Sequence, residues 1–487
     1  DQKNSADYAY AFGVNEFVLC ASAYQPWIDK YPGSTAGGKH YCLNRNNTYW
    51  EYSRPFWDYQ ARCSALMRKG VPVVDICVYL GQNPPVKLVT YRLPEIPEGY
   101  DFDVCTAEAL VGRTMAVDGR LTLPTGISYS LLVIQRNNDM PLHVLRHIAG
   151  LVKGGVIVCG PRPDGSDSLK DKAESEEYRA LVDELWGELT TVSQIRKVGK
   201  GKIYENIPLS EVLKYENIRP DIAIKSGNTA KDKVYFVHRR LSDADVYFLN
   251  NHSDRAFHDT IRLRTDARQA EYWDAVTGQR YMIPVKASGE KGMLLNLTLA
   301  PRESGFIVTS NNQATGLLPR IADVQETITP IEGSWNVYFD PRWGGPGKVV
   351  FDELIDWTVH ADTGIRYYSG TAVYHKELNL AMPAQNERLL LRFPRLGSLA
   401  RVWVNGKEVV TVWCSPWEAD ITSYVHEGKN NLKIEVVNSL MNRMIGDASL
   451  PESERFTYAY PQIATPTDKL VPSGIMEQLN LVYRQCQ

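Results

Sequence analysis

Continuous apolar runs alternate with an amphipathic stretch across residues 71–230. Apolar runs occupy 71–80, 128–134 and 155–159, and each has the length of a single strand. The stretch 141–153, between two of these runs, has the spacing of an amphipathic helix. Strands that are apolar throughout are typical of parallel sheets covered by helices on both faces. This pattern predicts an α/β domain over residues 71–230.

The first 70 residues show a helix–strand–loop–helix pattern. Residues 7–12 have the pattern of a helix end, and Gly13 follows as its C-terminal cap. The apolar run 14–20 predicts a buried strand, and residues 59–68 have the spacing of an amphipathic helix. A single strand with a single helix cannot bury both faces of the strand. We therefore expect other elements to complete residues 1–70.

Residues 231–312 change to short strands that are separated by turns. Runs of strand-forming residues at 234–237, 245–249 and 305–308 are bounded by turn-forming residues. Several short strands at close spacing are typical of all-β architectures. The pattern predicts a β-sandwich over residues 231–312.

The last region, residues 313–487, contains the clearest hairpin signal of the chain. The alternating run 399–404 is followed by Asn405–Gly406 and a second apolar run. Both central positions of such a turn need a positive φ, which Asn and Gly tolerate. An Asp-Ile-Thr step at 420–422 and a strand from residue 428 complete the order. This order resembles the sugar-binding jelly-roll domain of family 2 glycoside hydrolases, and it predicts a jelly roll over residues 313–487.

Composition excludes some classes of function. The 487 residues are 44% hydrophobic and 23% charged, which is ordinary for a globular protein of several domains. The formal net charge is −3, and no dense cluster of Lys and Arg occurs, so we expect no nucleic-acid binding. No apolar run approaches the roughly 20 residues that cross a bilayer, so we expect no membrane span.

The eight cysteines form no CxxC pair and no metal-finger spacing. Several stand inside apolar runs, such as Cys77 and Cys159. Buried free thiols are therefore favoured over a disulfide framework. The cysteine pattern does not determine whether the protein works in an oxidising or a reducing compartment.

Ordered segments along nearly the whole chain resemble glycoside hydrolase family 106, whose characterised members are α-L-rhamnosidases. These segments are 12–19, 24–27, 66–70, 72–76, 100–103, 118–121, 245–250, 335–341, 365–374, 442–447 and 473–474. No single segment is decisive, but their number and their order argue against chance agreement.

The resemblance implies a catalytic (β/α)8 barrel whose last βα unit is residues 1–70, followed by a glutamine-amidotransferase-like α/β domain. It implies that the catalytic glutamates map upstream of Asp1. The acidic residues that hold calcium in the full-length family member map there too. We therefore predict no catalytic residue, no metal ligand and no cofactor in this chain. The resemblance also implies a periplasmic or secreted protein, and the sequence leaves its oligomeric state open.

Side chains in aromatic loops are the best candidates for binding an oligosaccharide or polysaccharide, because aromatic rings stack on the apolar C–H faces of pyranoses. Packing of the first loop against the barrel rim is an equal alternative. In the jelly roll, Trp413 and Trp417 flank a loop and are expected at the surface, whereas Trp403 alternates with apolar neighbours and is expected in the core. The candidates in the loop of the first region are Tyr24, Gln25, Trp27, Tyr49 and Trp50.

Glycoside hydrolysis needs two carboxyl groups that flank the scissile bond. Glu16 stands near the start of the predicted strand, away from the end where barrel active sites form, so a structural role is expected. At the other end, Cys20, Ser22 and Tyr24 offer no natural general acid for a glycoside. Relatives place a histidine where Cys20 stands, which argues further against catalysis by this segment.

Other candidate sites have structural explanations. Cys159 follows a strand but lacks the Gly-x-Cys-x-Gly turn of an amidotransferase nucleophile. Asp420 is expected to hold a turn through hydrogen bonds to the backbone. The acidic residues considered for a structural calcium site, whose spacing forms no recognisable calcium loop, are Asp340, Asp356, Asp362 and Glu377.

The sequence thus predicts a glycoside hydrolase-related protein that acts on rhamnose-containing or similar polysaccharide. The alternative is a non-catalytic carbohydrate-binding or structural remnant of such an enzyme. The two differ in whether the same polypeptide also contains the barrel strands that carry the glutamates.

Overall fold

The computed structural model describes residues 2–19, 23–35, 44–81, 94–135, 139–163, 165–166, 175–188, 192–226, 234–312, 316–317, 319–320 and 325–485. Cys20 and Ser22, which the sequence analysis weighed as site residues, lie outside these ranges. The described chain is multidomain and mostly β, with some helices. None of its described helices is long and apolar enough to cross a membrane.

Two helices and a short strand form the first region: α1 (Gln2–Ala11), β1 (Pro32–Ser34) and α2 (Arg54–Met67). The end of α1 is as predicted. Gly13 takes φ +87°, and its N–H bonds the carbonyl of Tyr10 at 2.9 Å. The N–H of Val14 bonds the carbonyl of Ala9 at 3.1 Å, which completes a Schellman cap. The helix predicted over 59–68 is confirmed within α2.

The buried strand predicted over 14–20 is wrong for its described part, residues 14–19. These residues form no strand, and the side chains of Val18 and Leu19 are 96% and 52% exposed. A strand needs a neighbour that pairs its N–H and C=O groups and covers its apolar side chains. No such strand lies beside residues 14–19 in the described part of the chain.

A six-stranded sheet forms the α/β region. The strands of this region are β2 (Val71–Pro72), β3 (Ile76–Tyr79), β4 (Phe102–Cys105), β5 (Met115–Val117), β6 (Arg120–Thr122), β7 (Ser128–Tyr129), β8 (Leu131–Ile134), β9 (Ile157–Cys159), β10 (Gln194–Val198) and β11 (Gly201–Glu205). Its helices are α3 (Ala107–Arg113), α4 (Leu142–Lys153), α5 (Ser175–Trp186) and α6 (Leu209–Tyr215). The order is β10-β11-β9-β8-β3-β4, and each pair except β10–β11 is parallel. Helices α3, α4 and α5 pack on one face of the sheet and α6 packs on the other, so the predicted α/β pattern is observed.

Two sheets form the sandwich that follows. Its strands are β12 (Ile222–Ile224), β13 (Val234–Arg240), β14 (Ala244–Asn251), β15 (Phe257–Leu263), β16 (Gln269–Trp273), β17 (Arg280–Ile283), β18 (Val285–Ala287), β19 (Met293–Leu299) and β20 (Ser304–Ser310). One sheet has the order β12-β15-β19-β18, and the other has the order β17-β16-β20-β14-β13-β2. The apolar side chains between them form one buried core.

The apolar run 71–80, predicted as one strand, is two strands in two sheets. β2 pairs with β13 of the sandwich, and β3 lies inside the α/β sheet. Between them stands Asp75, which is 2% exposed and accepts a hydrogen bond from the hydroxyl of Ser130. A buried carboxylate must be paired, so it fixes the point where the chain crosses from one sheet to the other. Hydrophobic pattern alone does not reveal this crossing.

A network of buried charges joins the α/β region to the sandwich. Arg264 lies 2.6 Å from a carboxylate oxygen of Asp75 and 2.6 Å from one of Asp221. The imidazole of His238 is enclosed between two carboxylates, with Nδ1 2.8 Å from Asp221 and Nε2 3.0 Å from Asp245. Each of these side chains therefore takes its hydrogen-bond or charge partner from another side chain of the same network.

The last region is a second two-sheet β structure. Its strands are β21 (Glu326–Pro330), β22 (Trp335–Phe339), β23 (Gly347–Phe351), β24 (Thr371–Leu380), β25 (Glu387–Arg392), β26 (Leu396–Gly397), β27 (Leu399–Val404), β28 (Lys407–Val412), β29 (Glu418–Asp420), β30 (Gly428–Val437), β31 (Tyr458–Tyr460), β32 (Gly474–Ile475) and β33 (Asn480–Gln485). Its helices are α7 (Thr363–Arg366) and α8 (Met441–Asp447). One sheet has the order β21-β33-β25-β29, and the other has the order β23-β22-β24-β30-β27-β28.

The Asn405–Gly406 hairpin is confirmed between β27 and β28. Both residues have a positive φ, +51° and +78°. In contrast, the prediction that Trp403 lies in the core is wrong. Val402 and Val404 point into the core, so Trp403 between them points to the outer face of the sheet.

The buried charge network predicts a large loss of stability when one partner is removed. Asp221→Ala would leave Arg264 and His238 without their shared carboxylate, so we expect the free energy of unfolding to fall by about 3–5 kcal/mol. Asp243→Ala, at an exposed position of the same junction, should change it by less than about 0.5 kcal/mol. Guanidinium denaturation measures both, and equal midpoints for the two variants would contradict the role of the network.

The same network predicts acid sensitivity. Burial by itself would raise the pKa of Asp245, but the hydrogen bond and charge of His238 outweigh it and lower the pKa to about 2. A carboxylate whose folded pKa is lowered stabilises the protein above its unfolded pKa, near 3.9, and loses that contribution as the pH falls toward 2. We expect Asp245→Asn to remove this part of the acid transition. Melting temperatures of both proteins between about pH 6 and pH 2 should converge at the acid end.

Candidate functional site

The loop of residues 23–35 is held in place by side-chain amides. Gln25 is buried, and its Nε2 donates to the carbonyl of Ser34 at 2.7 Å while its Oε1 accepts from the N–H of Ser34 at 2.9 Å. Asn46, also buried, donates to the carbonyls of Lys30 and Pro32 at 3.0 and 3.3 Å. The two amides take the place of backbone partners and give the loop a defined shape.

A short parallel strand pair joins this loop to the last region. β1 pairs with β31 in the register Pro32↔Tyr458. The N–H of Tyr458 bonds the carbonyl of Tyr31 at 2.8 Å, and the N–H of Thr35 bonds the carbonyl of Tyr460 at 2.9 Å. The first and last regions therefore contribute to one continuous surface.

Two aromatic rings and a lysine lie together at this joint. The rings of Trp27 and Tyr458 meet edge to face, with centroids 5.1 Å apart. The ammonium of Lys30 lies 3.9 Å from the Tyr458 centroid and 5.3 Å from the Trp27 centroid. Nearby in sequence, Tyr24 is 83% exposed. The arrangement offers ring faces for stacking together with hydrogen-bond donors, which is chemistry that suits a sugar.

Side chains of helix α8 hold the segment that leads into Tyr458. Arg443 is 5% exposed, and its Nε lies 3.0 Å from Oδ1 of Asp447. The other oxygen of Asp447 accepts from the N–H and the hydroxyl of Thr457, at 2.7 and 2.6 Å. The Arg443 guanidinium also lies 5.0 Å from the ring centroid of Phe456. These contacts fix residues 456 and 457 immediately before Tyr458.

The structure brings together some of the predicted site residues and separates others. Tyr24 and Trp27 lie on the loop that meets Tyr458. The Gln25 side chain is engaged in the hydrogen bonds that hold this loop. Tyr49 precedes the 3₁₀ turn Trp50–Tyr52. That turn lies against the last region, because Arg401 donates to the carbonyl of Glu51 at 2.8 Å.

Trp413 and Trp417, which the sequence analysis expects at the surface, are both partly buried against neighbouring elements. Trp413 packs against α2, with its ring 5.7 Å from that of Phe56 and 5.8 Å from that of Tyr59. Trp417 packs against the jelly-roll core. A large apolar ring gains free energy when it covers part of a neighbouring apolar surface.

Sequence reasoning missed Lys30, Tyr458 and Arg443. A signal for Tyr458 was present, because Tyr-Ala-Tyr-Pro at 458–461 alternates aromatic and small residues as an exposed strand does. Arg443 lies in the segment 442–447 that carried part of the family resemblance. Nothing in the local pattern placed Tyr458 beside Trp27.

Two known families match the chain in adjoining parts. The glycoside hydrolase family 106 model, described as α-L-rhamnosidase, matches residues 1–286, which is more than half of the chain. The chain belongs to glycoside hydrolase family 106. The model of the family 2 sugar binding domain matches residues 322–483 of this family 106 protein, the region of the jelly roll.

Similar proteins match nearly the whole chain. A solved rhamnosidase from Novosphingobium sp. PP1Y is similar over 99% of the chain, with a TM-score of 0.89 and 29% identity. A protein of Formosa agariphila that is provisionally named a β-glucuronidase is 23% identical over 92% of the chain. The chain spans 46% of the rhamnosidase and 56% of the Formosa protein.

Carboxylates in the first region of this family 106 chain are engaged in structural contacts or exposed. Asp7 is buried and bonded to Lys3 and Tyr59. Glu16 pairs with Arg68 at 3.3 Å at the surface, in line with the structural role expected for it.

Three of the four acidic residues considered for calcium act as caps, and the fourth, Glu377, pairs with Lys429 at 3.1 Å. Asp340, Asp356 and Asp362 each accept a backbone hydrogen bond at the start of a short helical turn. In the described part of the chain, no group of three or more His, Cys, Asp or Glu side chains could hold a metal ion. Asp420 holds its turn as predicted, accepting from the N–H and hydroxyl of Thr422.

Cys159 has no nucleophile environment. Burial raises the pKa of its thiol to about 11, so the thiol is protonated at neutral pH. Its sulfur faces the carbonyl of Ile207 at 3.9 Å. This argues against amidotransferase chemistry in the α/β region.

The Gln25 amide predicts local control of the candidate loop. Gln25→Ala removes two hydrogen bonds to Ser34, so we expect amide exchange around Ser34 to become about tenfold faster, equivalent to about 1.4 kcal/mol. Ile28→Ala, on the same loop but 82% exposed, should leave exchange unchanged. Hydrogen-exchange mass spectrometry of the 25–35 peptide distinguishes them, and similar rates in both variants would show that Gln25 does not hold the loop.

Proposed function

We propose that this chain forms a substrate-binding part of an α-L-rhamnosidase-like glycoside hydrolase that acts on rhamnose-containing or similar polysaccharide. The observation that carries the proposal is the joint of Trp27, Tyr458 and Lys30, where the family 106 segment meets the sugar-binding-domain region. Similarity over nearly the whole chain to a solved rhamnosidase supports the substrate class.

In this proposal the ring face of Trp27 stacks on the C–H face of a sugar, and Tyr458, whose ring meets Trp27 edge to face, borders the same sugar. Lys30 and the hydroxyl of Tyr24 donate to its hydroxyl groups. The fixed backbone of β1 and β31 keeps the rings apart at a constant distance, so the sugar meets a preformed surface. A preformed surface binds more tightly because less side-chain freedom is lost on binding.

The proposal assigns no catalytic carboxylate to residues 1–487. Hydrolysis needs a general acid together with a base or nucleophile on the two sides of the scissile bond. The carboxylates described near the joint are engaged in other contacts or exposed, so the pair would come from a further part of the active protein. We also propose that the protein works in the periplasm or outside the cell, where polysaccharide substrates occur.

The second candidate function is carbohydrate binding without hydrolysis. It is favoured by the structural roles that Asp7 and Glu16 have in the first region. Both functions use the same surface at Trp27, and they differ only in whether a glycoside is turned over.

Release of 4-nitrophenol from 4-nitrophenyl α-L-rhamnopyranoside, measured with the active protein that also carries the carboxyl pair, tests the first candidate. With Trp27→Ala we expect kcat/KM to fall about tenfold, or about 1.4 kcal/mol of transition-state binding, because a stacking face is lost. The matched control Ile28→Ala, which alters an exposed apolar side chain on the same loop, should stay within about twofold.

The outcomes separate the two candidates. Turnover that depends on Trp27 supports the hydrolase. Saturable rhamnoside binding that depends on Trp27 without turnover supports the binding module. Equal behaviour of the two variants would remove this surface from both.

A further inference from the structure

A row of side chains crosses the outer face of the six-stranded jelly-roll sheet. Asn336 on β22 is paired with His375 on β24, His375 with Lys433 on β30, and Lys433 with Trp403 on β27. Each of the four points away from the core, because its neighbours along the strand point into it. Three strand spacings of about 4.8 Å make the row about 14 Å long.

This row borders an open cavity of about 550 Å³. That volume is within the usual range for small-molecule sites. The side chains that give the cavity its chemistry are Asn336, His375, Glu377, Trp403, Asn431 and Lys433. Amides, an imidazole, a carboxylate and an ammonium provide donors and acceptors around one indole ring.

The neighbouring row on the same face is covered by the first region. The hydroxyl of Tyr52 lies 3.3 Å from Glu435, and the guanidinium of Arg401 lies 4.2 Å from the Tyr52 ring centroid. This cover does not extend to the row of Trp403, which borders the cavity. The open row is therefore a bounded strip rather than an extended flat face.

Charge contacts hold the tryptophan in position. The ammonium of Lys433 lies 4.0 Å from the Trp403 ring centroid and 2.8 Å from a carboxylate oxygen of Glu435. Trp403 is partly buried on this face, so only a part of its ring is open to a ligand. A fixed aromatic ring amid polar groups is an arrangement that recognises a ligand with both apolar and hydroxyl faces.

We propose that this strip is a second carbohydrate site, which binds an oligosaccharide chain along the row from Asn336 to Trp403. The sugar-binding description of the family matched over residues 322–483 supports this class of occupant. The site lies on the outer sheet face, away from the joint of Trp27 and Tyr458. It holds the polymer and takes no part in breaking a bond, so it does not depend on the proposed hydrolysis.

Affinity electrophoresis of the full chain in gels that contain rhamnogalacturonan I tests the site. We expect wild-type protein to be retarded, Trp403→Ala to bind about tenfold more weakly and His375→Ala about threefold more weakly. The matched control is Tyr338→Ala, an exposed aromatic on the same sheet face outside the cavity, which should bind as wild type. Melting temperatures show that each variant is folded.

Several results would overturn the proposal. They are absence of retardation of the wild type, equal weakening by Tyr338→Ala, and full retention by both Trp403→Ala and His375→Ala. Retardation that vanishes at about 0.5 M NaCl would identify ion exchange with the charged polymer instead of sugar recognition. Turnover of the aryl rhamnoside reports separately on the joint at Trp27, so loss of one activity does not imply loss of the other.

Discussion

The described part of the first region has no hydrophobic core of its own, and the candidate site depends on how its helices α1 and α2 are buried against the other regions. The apolar faces of α1 and α2 pack against Phe248 and Phe306 of the sandwich and against Trp413 of the jelly roll. At the centre of this contact, Lys3 pairs with Asp7 at 2.7 Å and donates to Ser304 at 2.7 Å. Buried charges without partners cost several kcal/mol, so these contacts allow one position for the helices.

The position of the two helices determines where the loop between them can go. It returns to the jelly roll, where β1 adds to β31 and brings Trp27 beside Tyr458. The buried pair of Arg443 and Asp447 then holds the segment before Tyr458. A surface built from two regions in this way is sensitive to domain packing, because neither region contains the complete set of contacts.

The two carbohydrate surfaces proposed for this chain have different physical character. The joint at Trp27 is a meeting of two regions, and its rings are fixed by backbone pairing. The strip at Trp403 lies on a single sheet, and its side chains are fixed by strand register. A protein that acts on a polymer benefits from both, because a site that holds the chain raises its effective concentration at the other.

Local chemistry made several elements predictable. Gly13 ends α1 because only glycine adopts its positive φ without strain, and Asn405–Gly406 forms a hairpin for the same reason. The predicted helix over 141–153 matches α4 because its apolar spacing needs no distant partner to be recognised. The outward position of Trp403 could also be predicted, because Val402 and Val404 alternate with it along the strand. The prediction of a core position came instead from its apolar neighbours.

The sequence by itself determined the caps, the hairpin, the α/β and β-rich regions and the family, because each depends on residue types at short spacing or on their order. Only the tertiary structure decided which apolar surfaces are covered. Within the described part of the chain it left residues 14–19 without a strand partner, divided the run 71–80 between two sheets at Asp75 and packed the partly buried Trp413 against α2. It also placed Tyr458 beside Trp27. These outcomes depend on partners distant in sequence, and hydrophobic periodicity carries no information about which partner a face will meet.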